Sequence, residues 1–190
     1  MASHLALLRG INVGGRNKIA MTELREAVTS LGHTGVTTYI QSGNVLFTTK
    51  DTDTAKLASA LEAAIAAAFG IAASVVVLSR DELARILSDN PYPEEPNPRF
   101  VHVVFLNAEL PPDLLERVTA AESAAAARGS RDTVTATGHA LFLHTPYGYG
   151  TSELAQELFR IIGTPGKKDI AATARNWATA TKLLSLCEEK

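Results

Sequence analysis

The sequence predicts an α+β protein made of two pseudo-repeated ferredoxin-like halves, each with the order βαββαβ plus a helix and a mainly antiparallel sheet. Three observations predict this fold. The same succession of strand-like and helix-like segments occurs twice in 190 residues. A proline-rich segment separates the two series, and a glycine-containing hairpin signal occupies the equivalent position in each. We therefore expect an N-terminal half at residues 1–89, a connector at 90–99 and a C-terminal half with a closing helix at 100–190.

Local patterns predict each element of the first half. Strands are expected where short apolar or β-branched runs are bounded by turn residues, and helices where apolar residues recur every three or four positions. Leu57, Leu61 and Ile65 show the helical spacing, and Ser79 with Glu82 forms a capping box that opens the next helix. In chain order, the patterns predict a strand at 5–9, a helix at 21–31, strands at 36–40 and 44–48, a helix at 53–69, a strand at 73–78 and a helix at 80–87.

The second half repeats this order after the connector. Four prolines between Asn90 and Pro98 are incompatible with a helix or a central strand, so this segment is expected to be stiff and extended. The last strand rests on its alignment with the first half, because its composition is not strongly β-forming. The patterns predict strands at 100–106, 131–137, 140–144 and 170–174, and helices at 111–127, 152–162 and 176–186.

Composition indicates a globular protein of the cytoplasm. Hydrophobic residues make up 46% of the chain and charged residues 20%, and the formal charge of −2 disfavours nucleic acid and anionic lipid as partners. The charge-poor stretch 63–78 is interrupted by Gly70 and is shorter than the ~20 residues that a membrane span needs, so no membrane association is expected. The single Cys187 cannot form an internal disulfide, which fits a reducing compartment, and is expected to pack as a small apolar residue.

The strongest functional candidate is the glycine-rich loop (residues 9–18), which joins the first strand to the first helix. Strand, polar glycine loop and helix is a layout that can hold an anion on backbone N–H groups. The equivalent turn of the second half, residues 107–112, is shorter and lacks glycine and basic residues. A plain connection does not need the longer version. The candidate ligand-binding residues of this loop are Arg9, Gly10, Asn12, Gly14, Gly15 and Arg16.

A second group of candidates lies in the polar turn (residues 39–44), where Gln41, Ser42 and Asn44 offer donors and acceptors. In a ferredoxin-like half, this hairpin and the glycine-rich loop lie at the same end of the sheet, so we expect them to be neighbours. Arg175 and Asn176 are further candidates, as an arginine clamp beside an aromatic residue. Each group also has a structural interpretation, in which asparagines cap backbone groups and glycines form ordinary turns.

Three motifs together resemble the bacterial family catalogued as domain of unknown function 1697 (DUF1697). They are Leu8-Arg9-Gly10-Ile11-Asn12-Val13-Gly14-Gly15, Tyr39-Ile40-Gln41-Ser42-Gly43-Asn44-Val45, and Thr173-Ala174-Arg175-Asn176-Trp177 with Lys182-Leu183. The similarity extends over essentially the whole chain. It implies an α+β protein of two related halves and implies no activity.

Several other motifs are incomplete. Gly148-Tyr149-Gly150 matches half of a dinucleotide-binding fingerprint, and residues 163–168 match a phosphate-binding loop with the wrong spacing. The histidines show no metal-ligand spacing, so no metal site is expected, and neither a nucleophilic triad nor a cofactor can be assigned. The histidines are His4, His33, His102, His139 and His144.

The leading hypothesis is a protein that binds a small anionic ligand, phosphate- or nucleotide-like, with no reaction assigned. One alternative is a non-catalytic interaction module in which the same motifs brace the fold. The other is weak binding of single-stranded nucleic acid through the basic loop, which predicts steep salt dependence. Because the central strands offer a single aromatic residue, Phe47, base stacking on the sheet is disfavoured.

Overall fold

The predicted succession of elements is present in the computed structural model, which describes residues 1–162 and 170–189. The first series comprises β1 (His4–Leu8), α1 (Met21–Thr29), β2 (Thr34–Tyr39), β3 (Asn44–Thr48), α2 (Thr54–Phe69), β4 (Val75–Ser79) and α3 (Arg80–Ser88). The second comprises β5 (Val101–Leu106), α4 (Pro112–Ala127), β6 (Thr133–Thr137), β7 (Ala140–His144), α5 (Glu153–Ile162), β8 (Ala172–Asn176) and α6 (Trp177–Glu188). A short 3₁₀ turn at Tyr149–Thr151, which the sequence patterns did not predict, precedes α5.

The two sheets have the same topology. Within the described residues each sheet has four strands, in the order β2-β3-β1-β4 and β6-β7-β5-β8, and every strand pair is antiparallel. This is the strand order of a ferredoxin-like unit, in which the first strand of each series lies at the centre of its sheet. The α+β fold with two related halves is therefore confirmed.

The chain divides into two compact units, at residues that differ from the predicted halves. The first contains Met1–Arg85 and Lys182–Lys190, and the second contains Ile86–Thr181. The end of the chain lies in the first unit, where the backbone N–H of Ala2 donates to the Cys187 carbonyl at 3.1 Å. Cys187 is fully buried, and burial raises the pKa of its thiol to about 11, so it packs as an apolar residue.

The predicted connector, residues 90–99, belongs to the second unit and is held to its sheet. The Tyr92 hydroxyl lies 2.9 Å from the Thr133 hydroxyl, on the edge strand β6. The imidazole Nε2 of His144 lies 2.7 Å from a carboxylate oxygen of Glu95. Together with a hydrogen bond from the Asn97 N–H, His144 holds the pKa of Glu95 below its ordinary value. The prolines stiffen the segment, and these side-chain contacts decide which unit it joins.

In the first unit, α1 and α2 cover one face of the sheet. Leu24 and Val28 of α1 and three leucine or isoleucine side chains of α2 pack on alternate residues of the central strands. Phe47 of β3 is fully buried in this layer, so its ring is not available for stacking on a base. The predicted capping box is present, since the Ser79 N–H donates to Glu82 at 2.8 Å and the Glu82 N–H donates to the Ser79 hydroxyl at 3.2 Å.

In the second unit, α4 and α5 cover the equivalent face. Val104 and Leu106 of β5 pack there with Leu114 and Val118 of α4 and with the apolar stripe of α5. His102 lies two residues before Val104 and so points to the same side, where its ring stacks on Tyr149 at a centroid distance of 4.0 Å. Burial lowers the pKa of His102 to about 4. None of the described helices is both long and apolar enough to cross a membrane.

The last strand lies two residues later than the prediction. β8 runs from Ala172 to Asn176 instead of ending at 174, because Arg175 and Asn176 pair with Val103 and His102 of β5. The ladder along a central strand outweighs the weak local preference of this segment. Arg175 and Asn176 therefore end a strand, and α6 opens at Trp177.

His102 makes the stability of the second unit depend on pH. Below pH ~6.5 the unfolded chain binds a proton at His102 that the folded unit does not accept until about pH 4, so stability falls as pH falls through this window. Replacing His102 by Phe keeps a stacking ring and removes the titration. Between pH 7 and pH 4.5, we expect the free energy of unfolding of this variant to fall by about 2 kcal/mol less than that of the wild type.

The measurement is urea unfolding at both pH values, followed by fluorescence of Trp177, the single tryptophan. His4 and His33 also have lowered pKa values because of burial, and they retain their contribution in the variant. An identical pH dependence in both proteins would show that His102 does not remain neutral in the folded unit.

Candidate functional site

The glycine-rich loop has a backbone that only certain residues adopt easily. Its residues with positive φ are Gly10 (74°), Asn12 (53°), Gly14 (57°), Gly15 (76°) and Asn17 (49°). Glycine takes this left-handed conformation without steric cost, and asparagine tolerates it better than most other residues. The glycines and asparagines that made this loop a candidate site in the sequence are thus the residues that its left-handed backbone requires.

The tip of the loop, Val13-Gly14-Gly15-Arg16, is a tight hairpin turn. The Arg16 N–H donates to the Val13 carbonyl at 3.0 Å, and below it the Asn12 N–H donates to the Asn17 carbonyl at 3.0 Å. Two consecutive left-handed glycines are what a two-residue turn of this hand demands. Open space surrounds both glycines, because a Cβ added to either would have no neighbour within 4 Å.

The side chain of Asn12 holds three segments together. Its amide nitrogen donates to the carbonyls of Ile19 and Gln41, both at 3.0 Å, and its amide oxygen accepts from the Ile19 N–H at 2.9 Å. The Asn17 amide likewise donates to the Gly10 carbonyl at 2.8 Å. Both asparagines therefore shape the loop, as the structural interpretation of the sequence predicted.

The glycine-rich loop and the polar turn are neighbours, as their place in a ferredoxin-like unit predicted. Besides the Asn12–Gln41 hydrogen bond, the Leu8 N–H donates to the Gly43 carbonyl at 2.8 Å. Asn44 is fully buried, and its amide donates to the Tyr39 carbonyl and to the Ser42 hydroxyl, both at 3.0 Å. Asn44 and Ser42 thus stabilise the turn through hydrogen bonds inside it.

Close packing explains why the turn contains Gly43. Its φ is +76°, and an added Cβ would lie 2.7 Å from the Leu8 Cβ and 2.8 Å from the Ile11 Cδ1. The turn consequently lies directly against the base of the glycine-rich loop. A rigid double loop results, with its polar side chains partly turned inward.

Some of the predicted site residues in the first unit stabilise the two loops through internal hydrogen bonds, and others lie on the surface. Asn12 and Asn44 belong to the scaffold, and Arg9 and Ser42 are half-buried. The exposed members are Gly10, Gly14, Gly15, Arg16 and Gln41. Lys18 is exposed beside them, so the accessible surface is glycine backbone flanked by two basic side chains.

Ile40 is a feature that the sequence did not reveal. It lies in the polar turn with φ +50° and a side chain that is 50% exposed. A β-branched residue in the left-handed region is strained, which costs on the order of 1–3 kcal/mol. No local pattern distinguishes Ile40 from an ordinary strand residue.

A second exposed apolar residue lies on the neighbouring loop. Val13, at the tip of the glycine-rich loop, is 66% exposed.

Arg175 and Asn176 belong to the second unit, whereas the glycine-rich loop belongs to the first. Arg175 is buried, and its guanidinium donates to the Thr173 hydroxyl and the Ala174 carbonyl, both at 2.8 Å. Burial lowers the pKa of Arg175 to about 10. The Asn176 side chain accepts from the Thr179 N–H at 2.8 Å and so caps α6.

The weaker motifs take structural roles or lie outside the described residues. Gly148-Tyr149-Gly150 leads into the 3₁₀ turn before α5 instead of a phosphate loop. The predicted resemblance of residues 163–168 to a phosphate-binding loop falls outside the described residues. Within residues 1–162 and 170–189, no three His, Cys, Asp or Glu side chains are grouped to hold a metal ion.

Comparison with known proteins places the chain in a family and beside a solved structure. The sequence model of a family described as "Protein of unknown function (DUF1697)" matches residues 1–142. No curated protein matches the chain. A conserved bacterial protein from Streptococcus pneumoniae has a similar structure, with a TM-score of 0.72 and 26% sequence identity over 100% of this chain and 99% of that one.

The packing at Gly43 leads to a stability prediction. Gly43→Ala combines left-handed strain with overlap against Leu8 and Ile11, and we expect it to destabilise the first unit by about 2–4 kcal/mol. The matched control is Gly14→Ala, which has the same strain in open space and should cost only about 1 kcal/mol. Thermal and urea unfolding of both variants test this. Equal losses would mean that the loop and the turn do not pack together.

Proposed function

The chain belongs to the DUF1697 family, and we propose that it binds a small anionic ligand, phosphate- or nucleotide-like, at the exposed tip of the glycine-rich loop. The proposed ligand site consists of the backbone of Gly14 and Gly15 with the side chains of Arg16 and Lys18, and Gln41 lies on the neighbouring turn. We place this activity in the cytoplasm, in keeping with the single buried cysteine.

One observation carries the proposal: the tip offers backbone donors that the fold does not use. In the described part of the chain, no hydrogen bond involves the N–H groups of Gly14 or Gly15. Successive N–H groups in a left-handed turn can form a concave site for an anion. The absence of a Cβ at both positions lets an oxyanion approach the backbone closely.

Charge supports the same ligand class. Residues 9–18 contain three basic residues, Arg9, Arg16 and Lys18, and no acidic residue, in a chain with a net charge of −2. The Arg16 and Lys18 side chains are exposed, and no described hydrogen bond or ion pair engages either. A local excess of positive charge on an otherwise acidic protein attracts anions to this loop.

Rigidity supports it as well. The amides of Asn12 and Asn17 hold the loop in one conformation through backbone hydrogen bonds. A preorganised loop loses little conformational entropy on binding. Because the tip is solvent-exposed, each basic contact is screened, and we expect inorganic phosphate or pyrophosphate to bind with a Kd on the order of 1 mM.

The test is a titration with pyrophosphate and with ADP, followed by amide chemical shifts and by calorimetry. We expect shifts concentrated at residues 13–18, and a loss of affinity of at least ~10-fold in Arg16→Ala/Lys18→Ala. Lys50→Ala, which removes an exposed lysine of the same unit, is the matched control and should change affinity less than ~2-fold. Binding that is unchanged in the double variant, or absent across both ligands, contradicts the proposal.

A protein-interaction function is the second candidate, favoured by the exposed apolar residues of the two loops. Val13 and Ile40 are 66% and 50% exposed, and Ile40 holds a strained backbone conformation. Exposed apolar side chains on two adjoining loops, one of them basic, fit a protein partner with an apolar pocket and an acidic rim. This function predicts no response to the anion titration and a loss of partner binding in Val13→Ser/Ile40→Asn.

A further inference from the structure

We propose that a cavity in the second unit, distinct from the glycine-rich loop, binds a small molecule through its ammonium group. We call it the Asp132 cavity. Its volume is about 240 Å³, and it lies where the end of α4, the residues before β6 and the 3₁₀ turn before α5 meet. Its lining includes Arg128, Asp132, Tyr147, Ser152 and Glu153.

The side chain of Asp132 is largely buried, and one of its two carboxylate oxygens has no partner among the described residues. Asp132 is 8% exposed, and its Oδ2 accepts a hydrogen bond from the Ser152 hydroxyl at 2.7 Å. Within residues 1–162 and 170–189, no hydrogen bond reaches its Oδ1 and no basic group forms an ion pair with it. An ionised carboxylate accepts about four hydrogen bonds, and Oδ1, which is not among the described buried polar atoms without a partner, is open to solvent and can accept from a ligand.

The carboxylate is also fixed in orientation. The Ser152 hydroxyl that donates to it accepts in turn from the Ala155 N–H at 2.9 Å, at the start of α5. The Asp132 N–H donates to the Ser130 hydroxyl at 3.1 Å. These contacts hold Asp132 at the cavity wall, so its unused oxygen is a preformed acceptor.

The surroundings favour a cation over a neutral donor. The basic side chain in this lining, Arg128, is paired with Glu153 at 3.2 Å, which leaves two carboxylates and one guanidinium in the lining. The C-terminal end of α4 and the N-terminal end of α5 both border the cavity, so their helix dipoles oppose each other and the two carboxylates set the sign of the local charge. Tyr147 is 69% exposed and lines the cavity, where its ring can lie against an ammonium group.

A metal ion is a poorer fit than an organic cation. A divalent ion needs several oxygen or nitrogen ligands at one point, and the described residues provide no such group. An alkylammonium needs one carboxylate, room for a short carbon chain and a polarisable wall. Asp132, the cavity volume and Tyr147 supply these. The inference does not depend on the anion site proposed for the first unit.

The test compares n-butylamine with n-butanol, which match in size and differ in charge at pH 7. In amide-detected titrations of the full chain, we expect butylamine to shift residues 128–132 and 147–153 and to saturate. Butanol should bind at least ~10-fold more weakly. Equal responses to the two probes, or shifts by the amine at unrelated residues, would overturn the proposal.

Two variants localise the charge effect. Asp132→Asn should weaken butylamine binding at least ~10-fold, and Asp89→Asn, an exposed carboxylate of the same unit, should leave it unchanged. Because the Asp132 variant also alters the contact with Ser152, Tyr147→Ala provides an independent test with a smaller expected loss of ~3-fold. Full binding by Asp132→Asn would overturn the proposal, and full binding by Tyr147→Ala would show that the ring does not contact the ammonium group.

Discussion

The first strand of each series is the element on which the architecture depends. β1 and β5 lie at the centre of their sheets, hydrogen-bonded to a neighbour along both edges. Every residue of β1 is buried, and so is every residue of β5 except the half-buried His102. Because both faces of these strands are buried, a shift by one residue would exchange the side chains of the two faces and disrupt close packing on each. The register of both sheets, and so the position of each loop, follows from these two strands.

The sequence predicted the elements well where apolar periodicity was strong. The four-residue spacing in α2 indicates a helix, and the short apolar runs of β1, β4 and β7 indicate strands. The end of β8 could not be placed in the same way, because its pairing with β5 is a long-range interaction that local propensity does not encode. The division into units also depends on distant contacts, such as those of Tyr92 and Glu95.

The candidate site was only partly accessible to sequence reasoning. Glycine and asparagine located the unusual backbone of the loop, because few other residues adopt it. The pattern could not tell which side chains point inward, so Asn12 and Asn44 were grouped with Arg16, although the former shape the scaffold and the latter is exposed. Ile40 and Asp132 lie in ordinary strand-like runs, and their strain and burial arise only from tertiary structure.

The hydrogen bonds of Asn12 divide the glycine-rich loop into a base and a tip that differ in their tolerance to substitution. The Asn12 side chain donates to the carbonyls of Ile19 and Gln41. Beyond this base, a Cβ added to Gly14 or Gly15 would have no neighbour within 4 Å. A substitution at the tip therefore strains the turn alone and leaves the hydrogen bonds of the base in place. The tip is thus the part of the loop where a side chain can be added while the folding of the unit is preserved.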